Sequence, residues 1–372
     1  MLHAGVDGVK VKTFDFSMDT IGRHELMGLQ APTGYDSACP VCHHEWTPGL
    51  VGTQCCFGGY RAFLPERSRG RQARLRAGGH TYQYGDVEDR PTPRLRTTAT
   101  ARECLAVIDT IGIDGCRGHK FPPLVAQLPG LNLYRLNPPD TMHDSKIFVE
   151  MFLKTIVGKV NNAGFYDSWS NDAKHRKENK MRGIFPETWP EVGGPLPWRL
   201  TKPQRLLLDE RMSTLIWPAK VEKLYYNGAS FWTAPSRMWK ARRKVTLLYY
   251  ILPTQLRDQI PAVTYALCVF VWAMRLLMGQ VHCYENAVRL GILPGSRSID
   301  KRHIDRLEFQ LIMGLVLLSG CLPIGQLNPG MHHFVHFAAY VRSHGLLHLY
   351  WMMGFERFVT TYCHMYRLLT HD

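Results

Sequence analysis

Apolar and polar residues alternate only loosely at the start of the chain and settle into helical periods towards its end. Val9–Asp19 (VKVKTFDFSMD) is rich in Val, Phe and Thr, the pattern of a strand that stops at an acidic residue. Thr20–Leu29 fits a short helix after it, and Ala31–Pro65, rich in Gly, Cys and Pro, reads as a loop-built knuckle. A helix is expected over Arg102–Ile111. Pro122–Asn137, with LPGLNLYRL, is the second expected strand. Ser145–Val160 carries Ile147, Phe148, Met151, Phe152 and Ile156 at helical spacing. The chain changes character in the Pro/Gly/Trp-rich stretch Phe185–Pro203. Beyond it, helices are predicted over Gln204–Ile216, Met238–Leu252, Ala262–Leu277, Asp300–Leu318 and Met331–His344. The pattern is mixed α/β first and mostly α afterwards, with no internal repeat.

Two apolar stretches call for a membrane test. Ile260–Met274 is short, contains Pro261 and runs into Arg275, and Phe309–Gln326 is broken by Pro323 and by small residues. Both fall short of about 20 apolar residues in a row, so both are read as buried core helices.

Composition narrows the class. Of 372 residues 45% are hydrophobic, enough for a large core, and ten cysteines are too sparse for a disulfide scaffold. The N-terminus lacks a signal-peptide core, so reduced thiols in a cytosolic or nuclear setting are expected. Lys and Arg outnumber Asp and Glu by 45 to 31, a net charge of +14 that points to an anionic partner.

That charge is clustered. Between Arg61 and Glu103 lie ten arginines, five acids and no lysine, with Arg67, Arg69, Arg71, Arg74 and Arg76 at its centre. Lys174, Arg176 and Lys177 sit in a second run (KHRKENKMR), and Lys240, Arg242 and Arg243 in a third, Arg237–Lys244. Each run alone is either a phosphate contact or a solvated face; three together favour DNA. The tryptophans at 169, 189, 198, 217, 232 and 239 favour packing over base stacking.

Cys39-Pro-Val-Cys42 is the most specific local feature. Two thiolates two residues apart on a Pro-containing turn can grip one tetrahedral metal, by default Zn²⁺; a redox pair or incidental cysteines are the other readings. Two further ligands are needed. Cys55-Cys56 is a nearby source. The other is His332-His-Phe-Val-His336, whose first and last imidazoles project from one face if the segment is a helix. Asp19 and Glu356 bracket these pairs at 20 residues on either side. Carboxylates so placed can hold Mg²⁺ or Mn²⁺ for phosphoryl transfer. Asp19 reads equally as a helix N-cap, and Glu356 as half of an ion pair with Arg357.

Taken in order, these elements resemble CACTA-type (Tnp2-like) DNA transposases. MDTIGRHELMGLQAPTGYDSACPVC is similar to their second-aspartate region, and GYRAFLP (Gly59–Pro65) to the element that follows. Pro139–His143 resembles a DxMH element, and Leu247–Pro261 an LP-x-x-[IL]-R stretch. MHHFVH with YWMMGFERF (Tyr350–Phe358) resembles the paired histidines and the ending that bears the last acid. The resemblance runs from Asp19 to Phe358. It implies an α/β ribonuclease-H-like core, incomplete here, with a large mostly α-helical insertion. It also implies a D-D-E two-metal mechanism and a structural zinc site tying insertion to core. Asp19 matches the second Asp and Glu356 the Glu; Cys39, Cys42, His332 and His336 match the zinc ligands, with His333 the alternative. The family's first Asp comes from a strand further upstream, and 18 residues precede Asp19 here, so the chain is expected to be incomplete for catalysis. No role is assigned to Asp140 or His143.

The expected organisation is a partial core with knuckle and arginine arm (1–140), a helical insertion (141–325) and C-terminal helices returning to the core (326–372). The expected activity is metal-dependent strand cleavage and transfer, in the nucleus, on transposon ends and target DNA, by a homo-oligomer that involves no membrane. A non-catalytic zinc-stabilised DNA-binding protein and an unrelated zinc hydrolase built on His332 and His336 are the rivals.

Overall fold

The structure, a computed structural model, describes residues 2–3, 10–11, 20–29, 39–43, 60–63, 74–77, 80–83, 94–113, 118–123, 140–157, 198–215, 232, 241–278, 301–322 and 328–347. Among the described residues the expected ribonuclease-H-like sheet does not form. Among the described residues the strands form two separate antiparallel pairs: β1 (Leu2–His3) with β2 (Lys10–Val11), and β3 (Arg74–Ala77) with β4 (His80–Gln83). No parallel ladder joins them. Of the first expected strand only Lys10–Val11 is seen paired, and most of the second lies outside the described residues. The α/β core is therefore corrected to a helix-on-helix architecture.

Among the described residues ten helices carry it: α1 (Thr20–Leu26), α2 (Thr98–Ile111), α3 (Thr141–Val157), α4 (Lys202–Ser213), α5 (Ala241–Thr246), α6 (Leu252–Gln255), α7 (Pro261–Leu277), α8 (Lys301–Cys321), α9 (Pro329–His333) and α10 (Phe337–His344). A 3₁₀ turn at Tyr60–Phe63, a π-helical turn at Leu247–Ile251 and a second 3₁₀ turn at Phe334–His336 complete the described set.

Local chemistry sets the ends. Thr97 and Thr201 each cap a helix reciprocally, Thr97 with Thr100 at α2 and Thr201 with Gln204 at α4. Pro261 opens α7, where a missing N–H costs nothing. Gly28, at φ +67°, turns the chain after α1, and a Cβ there would lie 2.3 Å from the Phe121 carbonyl oxygen.

The centre of the core is α7 packed along α8. Gly314 of α8 makes that approach possible: a Cβ added to it would sit 2.7 Å from the Phe270 Cα of α7. Ala262, Val263, Ala266, Leu267, Phe270, Val271, Ala273 and Met274 are all buried, as expected for Ile260–Met274. No described helix is long and apolar enough to cross a membrane.

α3 joins this pair through aromatic rings. Phe148 meets Phe270 at 5.3 Å and Phe334 at 5.9 Å between centroids, and Phe334 meets Phe337 at 4.9 Å. Of its expected face, Phe148, Phe152 and Ile156 are buried while Ile147 is exposed, and Asp144 and Ser145 are buried as well. Trp198 and Trp232 are fully buried, in line with packing rather than stacking; the other four tryptophans of that cluster lie outside the described residues.

Candidate metal centre

The knuckle is a tight turn held from behind. The Val41 N–H donates to Cys39 Sγ at 3.3 Å, orienting the sulfur. The segment at Arg94–Arg96 lies antiparallel to it: Cys42 pairs with Leu95, the His43 N–H reaches the Arg94 carbonyl at 2.8 Å, and the Arg96 N–H reaches the Val41 carbonyl at 2.9 Å. Arg96 then folds its side chain over the turn. Its Nε–H donates to the carbonyls of Cys39 (2.8 Å) and Cys42 (3.1 Å), and the residue is buried. This arginine belongs to the arm read as a phosphate contact; it braces the knuckle instead.

The histidines arrive from the far end of the sequence. Asn328 caps α9 by accepting the Met331 N–H at 3.0 Å, and Pro329 starts the helix. The helix tightens into a 3₁₀ turn after His333, so the spacing His332 to His336 is not that of one regular helix. The two Nε2 atoms still converge, at 3.4 Å.

The two halves meet. Cys39 Sγ lies 3.4 Å from His336 Nε2, and Cys42 Sγ lies 3.5 Å from His332 Nε2. All four donor atoms fall within 4.8 Å of one another, and all four residues are buried. Burial pushes the Cys39 thiol up. The hydrogen bond with Cys42 and the charges of His332 and His336 outweigh that and hold it well below its ordinary value, which favours the metal-binding thiolate. Tyr60 stacks over His332, and Phe63 sets its edge against both imidazoles at 5.6 and 6.0 Å. The turn from the GYRAFLP stretch is thus a lid on the centre. Two sulfurs and two ring nitrogens at mutual contact can hold one metal ion, a full tetrahedral set of protein ligands rather than the three plus water of a catalytic zinc. That geometry goes against a catalytic hydrolase centre, and Cys55-Cys56, outside the described residues, is not needed to complete the set.

His333, the alternative ligand, turns away. Its Nδ1 lies 2.9 Å from Asp144 Oδ1 of α3, with both side chains 1% exposed. Burial raises the Asp144 carboxyl above its usual range, while His333 and Arg23 oppose the shift. Asp140 uses Oδ1 to accept the Met142 N–H at 3.0 Å and Oδ2 to pair with His143, which fixes the start of α3. Tyr340 is pushed up to about 12 by burial, although Arg23 hydrogen-bonds it. Arg96, Arg23 and Asp144 were not anticipated. The one visible hint was Asp144, placed one helical turn after Asp140.

The other expected site residues stand apart from this centre. Asp19 and Glu356 lie outside the described residues, as do Arg67, Arg69, Arg71, Lys174, Arg176, Lys177 and Lys240. Arg74 and Arg76 are on β3, and Arg242 and Arg243 on α5, with only their backbone described. Lys244, the last cation of the third basic run, is buried and paired with Glu150 of α3. Among the described residues no second cluster of metal donors forms, and nothing supports a catalytic Mg²⁺ or Mn²⁺ site. No family model, no curated protein and no solved structure matches the chain.

Proposed function

We propose that the chain is a zinc-clasped DNA-binding protein of transposase type, in which the zinc holds the fold together. The closed Cys39, Cys42, His332, His336 cluster carries this reading. Tetrahedral zinc with bonds of about 2.3 Å to sulfur and about 2.0–2.1 Å to nitrogen needs N···N edges of about 3.4 Å and N···S edges of about 3.6 Å. The distances of 3.4 Å between nitrogens and of 3.4 and 3.5 Å between nitrogen and sulfur fit those edges, and thiolate with imidazole donors favours zinc over a hard, oxygen-seeking ion. The DNA part is supported by the +14 charge and the family resemblance. Nuclear location and a homo-oligomeric state go with that resemblance.

Two measurements test it. Metal analysis of the purified protein should give one zinc per chain, lost in Cys42→Ser and His332→Ala; equal zinc in both variants would end the assignment. Duplex binding should weaken steeply with salt, as counterion release requires.

Strand transfer with Asp19 and Glu356 as metal-holding acids is the second reading. It is favoured by the meeting of the two ligand pairs across some 290 residues, as the resemblance implies. Mn²⁺-dependent joining of a labelled DNA end, abolished by Glu356→Gln, would support it; joining that is indifferent to Glu356→Gln would reject it.

A further inference from the structure

Arg23 of α1 is 1% exposed, and its Nε and Nη1 have no hydrogen-bond partner among the described residues. A guanidinium keeps its charge in a protein, so burying it demands an acid close by. Of the two acids at the start of α3, Asp140 is engaged by the Met142 N–H and by His143. Asp144, fully buried, keeps Oδ2 without a partner among the described residues and feels the Arg23 charge. Tyr340 of α10 hydrogen-bonds Arg23 and feels the charges of Cys39 and Cys42. Asp144 is held in turn by His333, at 2.9 Å. His333 adjoins the ligand His332, the two rings 6.5 Å apart, in a helix of five residues that tightens at once into a 3₁₀ turn.

A helix that short has little stability of its own, so the ion that grips His332 and His336 helps to set its position. The path from the ion is then continuous: His332, His333, Asp144, Arg23. We infer that Arg23 is a positioning residue which, through Asp144 and His333, latches α1 to the clasp when zinc is bound and lets it loosen when zinc is lost. This goes beyond the DNA-binding reading and rests on the zinc assignment. It also gives the ion a bearing on chemistry. Asp19 is bonded to Thr20, the first residue of α1, and neighbouring Cα atoms stand about 3.8 Å apart. On the strand-transfer reading, zinc would thus govern how firmly one of the metal-holding acids is placed.

The test is hydrogen exchange on the full chain, zinc-loaded and after EDTA. For α1 the reporters are the Met27 N–H, bonded to the Arg23 carbonyl at 3.1 Å, and the Leu29 N–H, bonded to the His24 carbonyl at 2.8 Å. The His43 N–H, on the Arg94 carbonyl, reports the knuckle, and the Thr264 N–H, on the Ile260 carbonyl, reports the core. Without zinc the two α1 amides should exchange about tenfold faster in the wild type, with the Thr264 amide unchanged. In Arg23→Met, an uncharged side chain, they should be equally fast with and without the ion, while the His43 amide still responds. Coupling is reciprocal, so this variant should also bind zinc about tenfold more weakly in a competition titration. Asp144→Asn, which can still bond His333 but offers Arg23 no charge, should behave likewise, and the wild-type comparison decides even where a variant does not fold. The latch is refuted if the α1 amides ignore zinc in the wild type, if they respond equally in Arg23→Met, or if the Thr264 amide changes with them. Should the protein hold no zinc, the parent reading falls too; should zinc protect the knuckle alone, the clasp stands and only the latch is lost.

Discussion

A metal turn needs its carbonyls restrained as much as its sulfurs aimed, and Arg96 does the first job with one N–H shared between Cys39 and Cys42. Groups that orient ligands typically change metal affinity about 10–100-fold when removed. Arg96→Ala should therefore lower zinc affinity by that order in a competition titration against a chelator; an unchanged affinity would mean the brace is idle. Asp144 and His333 are a harsher case, because both are buried. Asp144→Ala leaves an imidazole without its partner, and losing one half of such a pair costs about 3–5 kcal/mol. Urea unfolding should show that loss, with a smaller one for Asp144→Asn, which can still hydrogen-bond. His119 adds a pH term. Burial first and Arg96 second lower its pKa to about 4, against about 6.5 when unfolded. Between those values the unfolded chain holds a proton that the folded one refuses. The contribution is complete above about pH 6.5 and falls as the pH drops towards 4. His119→Gln should narrow the Tm difference between pH 7 and pH 5. At this scale the ligand types were legible, since CxxC and HxxxH announce themselves. The supports were not, because an arginine in a basic run looks the same whether it faces phosphate or a backbone carbonyl.

At the scale of elements, local order was readable and pairing was not. α7 and α8 were expected within a few residues of where they lie, because their apolar periods are long and uninterrupted. The expected sheet failed for a different reason. Alternation over Val9–Asp19 satisfies a strand locally, but a sheet needs distant partners, and those contacts are not written in a local pattern. Likewise the helix expected over Met238–Leu252 contains a π-helical turn that seats Tyr249 against Ser145 at 3.2 Å, a tertiary demand. The α7–α8 crossing gives a direct test. Gly314→Ala puts a methyl group 2.7 Å from the Phe270 Cα, where backbone rather than a mobile side chain must yield. Overpacking of this kind costs about 1–3 kcal/mol, visible as a lowered urea midpoint at unchanged slope. Leu311→Ala, in the same helix but cavity-forming, should cost about 2–5 kcal/mol and serves as the contrast.

For the whole molecule, the clasp joins segments that share no local structure. Cys42 and His332 are 290 residues apart, so the closed loop is long and its constraint on the unfolded chain is correspondingly large. Chelation should lower Tm by several degrees, reversibly on adding Zn²⁺, and proteolysis of the metal-free chain should release the knuckle region first. A Tm indifferent to chelator would show that the helical core does without the ion. That CxxC and HxxxH complete one ligand set was legible in the residues; that the fold brings them together was not, since spacing from residue 42 to residue 332 says nothing by itself. The charge reading also changes at this scale. Arg96 and Lys244 are buried, so two cations from the basic runs are occupied within the fold and unavailable to phosphate.

The same separation has a consequence in time. A ribosome adding about 5–20 residues per second makes the second half of the clasp about 15–60 s after the first. During that interval the knuckle has its two cysteines but neither His332 nor His336, so it can pass an ion to stronger chelators or be oxidised. Only a chain that has grown past His336 can close the site and fold the Tyr60–Phe63 lid over it. Zinc retention would then act as a completion check, marking finished chains and leaving interrupted ones open to proteases.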